Sequence, residues 1–187
     1  MQKLLRIIAG GAFLTSLMTM AVENVAYINM SQVFQGYYKT RNSEADLRRQ
    51  EEEVKDQANT IARQVQAIRK RQDELETQAL NVALSEEARA KSTSQADALN
   101  DQAQRKQQEL REFVGNKRKE LQKQYIKMRN DIVKELLEFV QGYAQENDIE
   151  MILDVSGMTN NMLPTVVYYP REKEITETIL KLINAGH

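Results

Sequence analysis

The chain has 187 residues, of which 28% are charged and 6% aromatic, with 2 Pro, no Trp and no Cys. Without cysteine there is no disulfide framework, thiolate nucleophile or lipoprotein anchor, and a formal net charge of -1 gives no argument for nucleic acid as a partner. A mixture rich in Ala, Glu, Gln, Lys, Arg and Leu suits long helices better than a compact catalytic core.

The first segment, MQKLLRIIAGGAFLTSLMTMA, has Lys3 and Arg6 ahead of an apolar run from Ile7 to Leu17. Thr19 and Ala21 occupy the small-residue positions before a signal-peptidase cut, so residues 1–21 are expected to be a cleaved export signal. An uncleaved anchor is the alternative, but Gly10, Gly11, Thr15 and Ser16 interrupt the run. Losing Lys3 and Arg6 takes the 26 basic residues to 24 against 27 acidic ones, a mature charge of -3.

Val25 to Asn29 alternates as a short strand, and Ser31 is the expected cap of the helix that follows. Leu47, Val54, Ile61, Ile68, Leu75 and Val82 then recur as a heptad, one narrow apolar seam that needs a single partner helix. After Asn81–Ser85, where Ser85 can cap and Glu86 and Glu87 fall in an electropositive first turn, a second helix runs to Asn147 through Leu99, Ala103, Leu110, Val114, Leu121, Tyr125, Met128, Ile132, Leu136, Phe139 and Tyr143. Residues 31–147 therefore read as an antiparallel helical hairpin, an arm with its tip near 81–85.

Charge supports the folding-back. Residues 44–56 hold six acidic and three basic side chains, whereas residues 105–129 hold nine basic and three acidic, and antiparallel pairing sets these stretches opposite each other. Leu80, Val82 and Leu84 are candidate contacts for a bound polypeptide at the tip. Gly115, inside a helix at a cost of about 1 kcal/mol relative to Ala, is a candidate hinge.

The last forty residues change character. Ile149, Met151, Leu153 and Val155 alternate onto one face, Thr165 to Tyr169 is β-branched and aromatic, and turn residues lie between them. EITETILKLINAG closes the chain as a short amphipathic helix. Residues 22–30 and 148–187 are thus expected to form a small β-rich body of three short strands and one helix. The fold class is α+β, mostly α, and so small a core calls for oligomerisation. Val33, Phe34 and Tyr37 should root the arm against Phe139 or Tyr143.

No catalytic constellation is visible. His187 is the only histidine, expected in a disordered terminus, and Glu51, Glu52 and Glu53 point about 100° apart on a helix and cannot converge on a cation. Neither enzyme activity nor a cofactor or metal is expected. The basic run NKRKELQKQYIKMR could touch anionic lipid headgroups or lipopolysaccharide.

The order of export signal, VAYINMSQVFQ, charged hairpin, ENDIEMILDVSG and EITETILKLIN resembles the OmpH-like (Skp) family of periplasmic chaperones. The resemblance implies a homotrimer whose strands assemble a central body, with three helical arms enclosing a cavity. Unfolded outer-membrane proteins are held there without ATP and kept from aggregating. It also implies that Val25, Tyr27, Ile28, Ile149, Met151, Leu153 and Val155, with Val167, belong to body and oligomer packing. The alternative is a structural coiled-coil or lipid-surface-binding envelope protein.

Overall fold

A computed structural model describes residues 24–187; the expected signal peptide, 1–21, lies outside them. Strand β1 (Val25–Ile28) leads into helix α1 (Met30–Gly36), followed after one residue by α2 (Tyr38–Ala79) and then by α3 (Glu86–Glu146). Strand β2 (Met151–Asp154), a 3-10 turn at Arg171–Lys173 and helix α4 (Thr176–Ile183) complete the order.

The start of α1 shows how the body is tied together. Asn29, rather than Ser31, caps it, its side-chain oxygen accepting from the Gln32 N–H at 2.9 Å. The preceding N–H groups find acceptors across the chain: Met30 donates to Asp154 Oδ1 at 3.1 Å and Ser31 to Ser156 Oγ at 3.3 Å. Three orphan donors are thereby satisfied, and a carboxylate sits at the positive end of the helix.

Helices α2 and α3 pack as a hairpin. At about 1.5 Å per residue, the 42 residues of α2 reach about 63 Å. The turn between them is held by Asn81, whose side chain accepts from the Ala83 N–H at 3.0 Å, and by Ser85, whose hydroxyl accepts from the Ala88 N–H at 3.2 Å. Leu75 and Val65 are buried in α2, facing a line that includes Ser92, Ala96 and Ala103 in α3. Leu47, Val54, Ile61 and Ile68 are only half-buried, because one partner helix covers one stripe. Val82, the last position of the predicted heptad, lies beyond α2 in the exposed turn.

The sheet has two strands, parallel, with Val25 beside Met151, Ala26 beside Ile152, Tyr27 beside Leu153 and Ile28 beside Asp154. Its inner face carries Ala26, Ile28 and Ile152, and its outer face Val25, Tyr27, Met151 and Leu153. Ile152 therefore packs on the core of its own chain, while Met151 and Leu153 are exposed on the opposite face. The expected third strand, Thr165–Tyr169, is absent from the sheet. The free edge of β1 is already occupied, Ile175 N donating to Tyr27 O at 2.8 Å, and Pro164 has no N–H to offer a ladder. The segment instead folds locally, with Thr165 N on Gly157 O at 2.9 Å.

The core lies where the arm meets the body. Ile28, Val33, Tyr37, Ile132, Leu136, Val140 and Ile179 are buried together, with Phe34, Phe139 and Tyr143 packed against them. Thr40 is buried at the same root, yet its hydroxyl has no hydrogen-bond partner. An unsatisfied buried hydroxyl is costly, so Thr40→Val, which keeps the shape and removes the hydroxyl, is expected to stabilise the protein by about 1 kcal/mol. A urea midpoint that does not rise would show that the hydroxyl finds a partner.

Candidate functional site

Among the described residues no group of three His, Cys, Asp or Glu side chains could hold a metal ion, and no helix is long and apolar enough to cross a membrane. What the chain offers is extended apolar surface. His187, expected in a disordered terminus, instead stacks on Tyr38 with ring centroids 3.7 Å apart.

On the body, Val25, Tyr27, Met151 and Leu153 share the outer sheet face, and Tyr169 stacks on Tyr27 at 5.0 Å. The neighbouring turn adds exposed Met158, Met162 and Leu163, and beyond it Val167 and Tyr168 are 87% and 86% exposed. Ile149 and Val155 are half-buried at the two ends of β2. Of the residues named for body packing, Ile28, Val33, Phe34 and Tyr37 meet in the core, whereas Val25, Tyr27, Met151 and Leu153 gather on the outer face. Val167 joins neither. Sequence reasoning passed over Met158, Met162 and Leu163; the signal was available, since large apolar residues stand where turn chemistry calls for polar ones.

On the arm, Leu80 and Val82 at the tip are 81% and 88% exposed, and Leu84 37%. Nearer the root, α2 and α3 part to leave a crevice of about 840 Å³ whose apolar wall includes Leu47, Val54 and Ala58 on one side and Val114, Leu121 and Tyr125 on the other. Neither the crevice nor its volume is visible in the heptad, which predicts contact along the whole seam. Gly115 adjoins it in sequence, and a Cβ added there meets nothing within 4 Å. Gly115→Ala is therefore expected to stabilise the helix by about 1 kcal/mol, slowing amide exchange in the middle of α3. Unchanged exchange there would remove Gly115 as a hinge.

The stretches 44–56 and 105–129 do face each other, Glu44 and Glu51 lining one wall of the crevice and Arg118 the other, but among the described residues no ion pair joins them. The ion pairs of the arm lie within single helices, as in Arg71–Glu74 at 2.8 Å, Lys106–Glu109 at 2.8 Å and Lys117–Glu120 at 2.8 Å. Partners three or four residues away on the same helix are already in reach, so pairing there orders less side chain than pairing across a seam. Among the described residues only Lys39–Glu135, at the root, joins α2 to α3 as an ion pair.

That root pair is part of a network. Glu135 Oε1 accepts from Lys39 Nζ at 2.5 Å and from the Tyr37 hydroxyl at 2.8 Å. Burial, then the Glu135 hydrogen bond, pushes the Tyr37 hydroxyl up to about 12. The hydrogen bond with Lys39 holds Glu135 below its ordinary value of 4.5, and the same bond holds Lys39 above its ordinary 10.5. A carboxyl held low adds stability above its unfolded pKa that is lost as pH falls through the folded one; an ammonium held high adds stability below its unfolded pKa that is lost as pH rises. Both charges support the root between about pH 4.5 and 10.5. Glu135→Gln is expected to flatten the acid side of that window, seen as a smaller drop in Tm between about pH 6 and about pH 3. An unaltered acid limb would assign it to other carboxylates.

Among curated proteins no relative matches the chain. The family described as outer membrane protein (OmpH-like) matches residues 24–183, a span that takes in both strands, the hairpin and α4. With a match running through body and arm alike, the chain belongs to the OmpH-like family.

Proposed function

We propose that this protein is an ATP-independent holdase of the periplasm that keeps unfolded outer-membrane proteins from aggregating. The observation that carries the reading is the presence of apolar surface both on the body and along one long hairpin. The outer sheet face on the body and the exposed tip of the arm are separated along α2, about 63 Å long, with the crevice between them. Membership of the OmpH-like family supports a chaperone-type role.

The two surfaces have different occupants. The body face is backed by a strand, Met151–Asp154, that has one strand neighbour among the described residues, and the segment Thr165–Tyr169, β-branched and aromatic, joins no strand among them. A second copy supplies both missing halves: the free edge of one chain takes the unpaired segment of another, closing the sheet and burying the apolar face. Three copies joined in this way form a homotrimer, with the arms projecting around a common space. The arm surfaces are left for the client, where scattered Leu, Val, Ala and Tyr make many weak contacts without a fixed pocket.

Diluting an unfolded β-barrel membrane protein from urea into excess purified protein, with no nucleotide present, should hold light scattering near baseline. Scattering as fast as in buffer would sink the chaperone reading and leave a structural envelope spacer. Removing the tip side chains together, Leu80→Ser, Val82→Ser and Leu84→Ser, tests whether the tip takes part. Undiminished protection would move the client contacts onto the sides of the arm.

A further inference from the structure

The outgoing helix of the arm is broken at its base, and a residue from the far end of the chain fills the break. Helix α1 ends at Gly36 and α2 begins at Tyr38, with Tyr37 between them at φ -70° and ψ 131°, an extended conformation. Nothing local in the sequence demands this, since no proline lies between Met30 and Ala79. In an unbroken helix Tyr38 N–H would bond to the Phe34 carbonyl, and the Gly36 carbonyl would accept from Thr40 N–H.

Here both backbone groups go to one side chain. Tyr38 N–H donates to Asn184 Oδ1 at 2.9 Å, and Asn184 Nδ2 donates to the Gly36 carbonyl at 3.0 Å. A primary amide is the smallest side chain that presents a donor and an acceptor side by side, as the missing peptide contacts would. Leu180, one turn earlier on the same element, lies against Gly36 so closely that a Cβ there would come within 2.6 Å of its Cδ2. The break turns Tyr37 inward, where it is buried and bonded to Glu135 of α3.

We infer that the carboxy-terminal helix is a splint for the arm, with Asn184 as the positioning residue that holds the α1–α2 break open and so sets the direction in which α2 leaves the body. Without that amide, the two backbone groups are satisfied most simply by closing α1 and α2 into one helix. Closing it swings Tyr37 about 100° around the axis, out of the core. A change of about 10° at the break moves residue 66, about 42 Å along α2, by about 7 Å, and the tip by about 11 Å. The width between arms in any assembly then depends on a contact made inside the body. The inference stands independently of what the arms hold.

The chain has no cysteine, so two exposed positions, Gln66 on α2 and Glu172 in the body, can be changed to Cys and spin-labelled. Labelled full-length mature protein is diluted into excess unlabelled protein, and the distance distribution is compared with Asn184→Ala and Asn184→Asp. Asp keeps the acceptor for Tyr38 N–H but has no hydrogen for the Gly36 carbonyl. The splint predicts a shifted or broadened distribution in both variants, by several ångströms at residue 66, while the Ile179 amide keeps its exchange protection. An unchanged distribution overturns it. A shift found only together with lost protection at Ile179 overturns it too, since the helix would then have undocked as a whole.

Discussion

Leu136→Ala is expected to destabilise the protein by about 2–5 kcal/mol. Leu136 is fully buried where the returning arm helix meets α1, α4 and β1, surrounded by Ile28, Val33, Tyr37, Ile132, Val140 and Ile179. These neighbours come from four separate elements already tied to one another through Asn29, Thr176 and Asn184, with Asn29 N donating to Thr176 Oγ1 at 2.9 Å. Such a site collapses little when atoms are removed, which puts the cost toward the upper end of the range. Leu137, one residue on, is exposed, and Leu137→Ala should cost well under about 1 kcal/mol. Urea unfolding of the two variants side by side gives the comparison. Equal losses would mean that the core is not centred on the arm root.

Leu153→Arg should leave each chain folded and take the proposed trimer apart. Leu153 is exposed on the outer sheet face beside Tyr27, so an arginine there is solvated in a single chain. In an interface built on that face it is buried without a partner, at a cost of several kcal/mol. About 4 kcal/mol is about a thousandfold in dissociation constant, enough to turn a trimer at micromolar concentration into monomer in sedimentation velocity. Far-UV circular dichroism should hardly change, because Leu153 lies exposed on β2 and outside every helix. An assembly of unaltered size would show that this face is not the contact between copies, and the closing of one chain's free strand edge by another's Thr165–Tyr169 would fall with it.

Much of the architecture was legible in the sequence for identifiable reasons. The heptad from Leu47 to Leu75 and the turn chemistry of Asn81 and Ser85 are local signals, and the hairpin and its tip follow from them. Val33, Phe34 and Tyr37 make one apolar face at the start of the arm, and they share a core cluster with Phe139 and Tyr143 of the returning helix. What escaped detection depends on distant partners. Asn29 and Ser31 are both good caps, and the choice between them is made by Asp154 and Ser156, which take the next two N–H groups. In Ile149–Val155 the more apolar face is that of Met151 and Leu153, yet the face that meets the chain's own core is that of Ile152, between Glu150 and Asp154, a choice periodicity does not make. Thr165–Tyr169 has strand composition, but a strand exists only where an edge receives it, and its own chain leaves it none. The break at Tyr37 is written at Asn184, on another element.

The placement of the ion pairs has a mechanical consequence. Because the arm helices carry their salt bridges internally, each pair travels with its own helix when the two move past one another. Among the described residues, sliding along the seam then breaks no ion pair except Lys39–Glu135, which pins the base, and one hydrogen bond, from Arg69 to Gln107 Oε1 at 3.4 Å. The hairpin should behave as two rods joined at both ends, by that ion pair at the root and by the turn that Asn81 and Ser85 hold at the tip. Shear between them is then greatest in the stretch between the two joints, where Leu47, Val54, Val114 and Leu121 line the crevice.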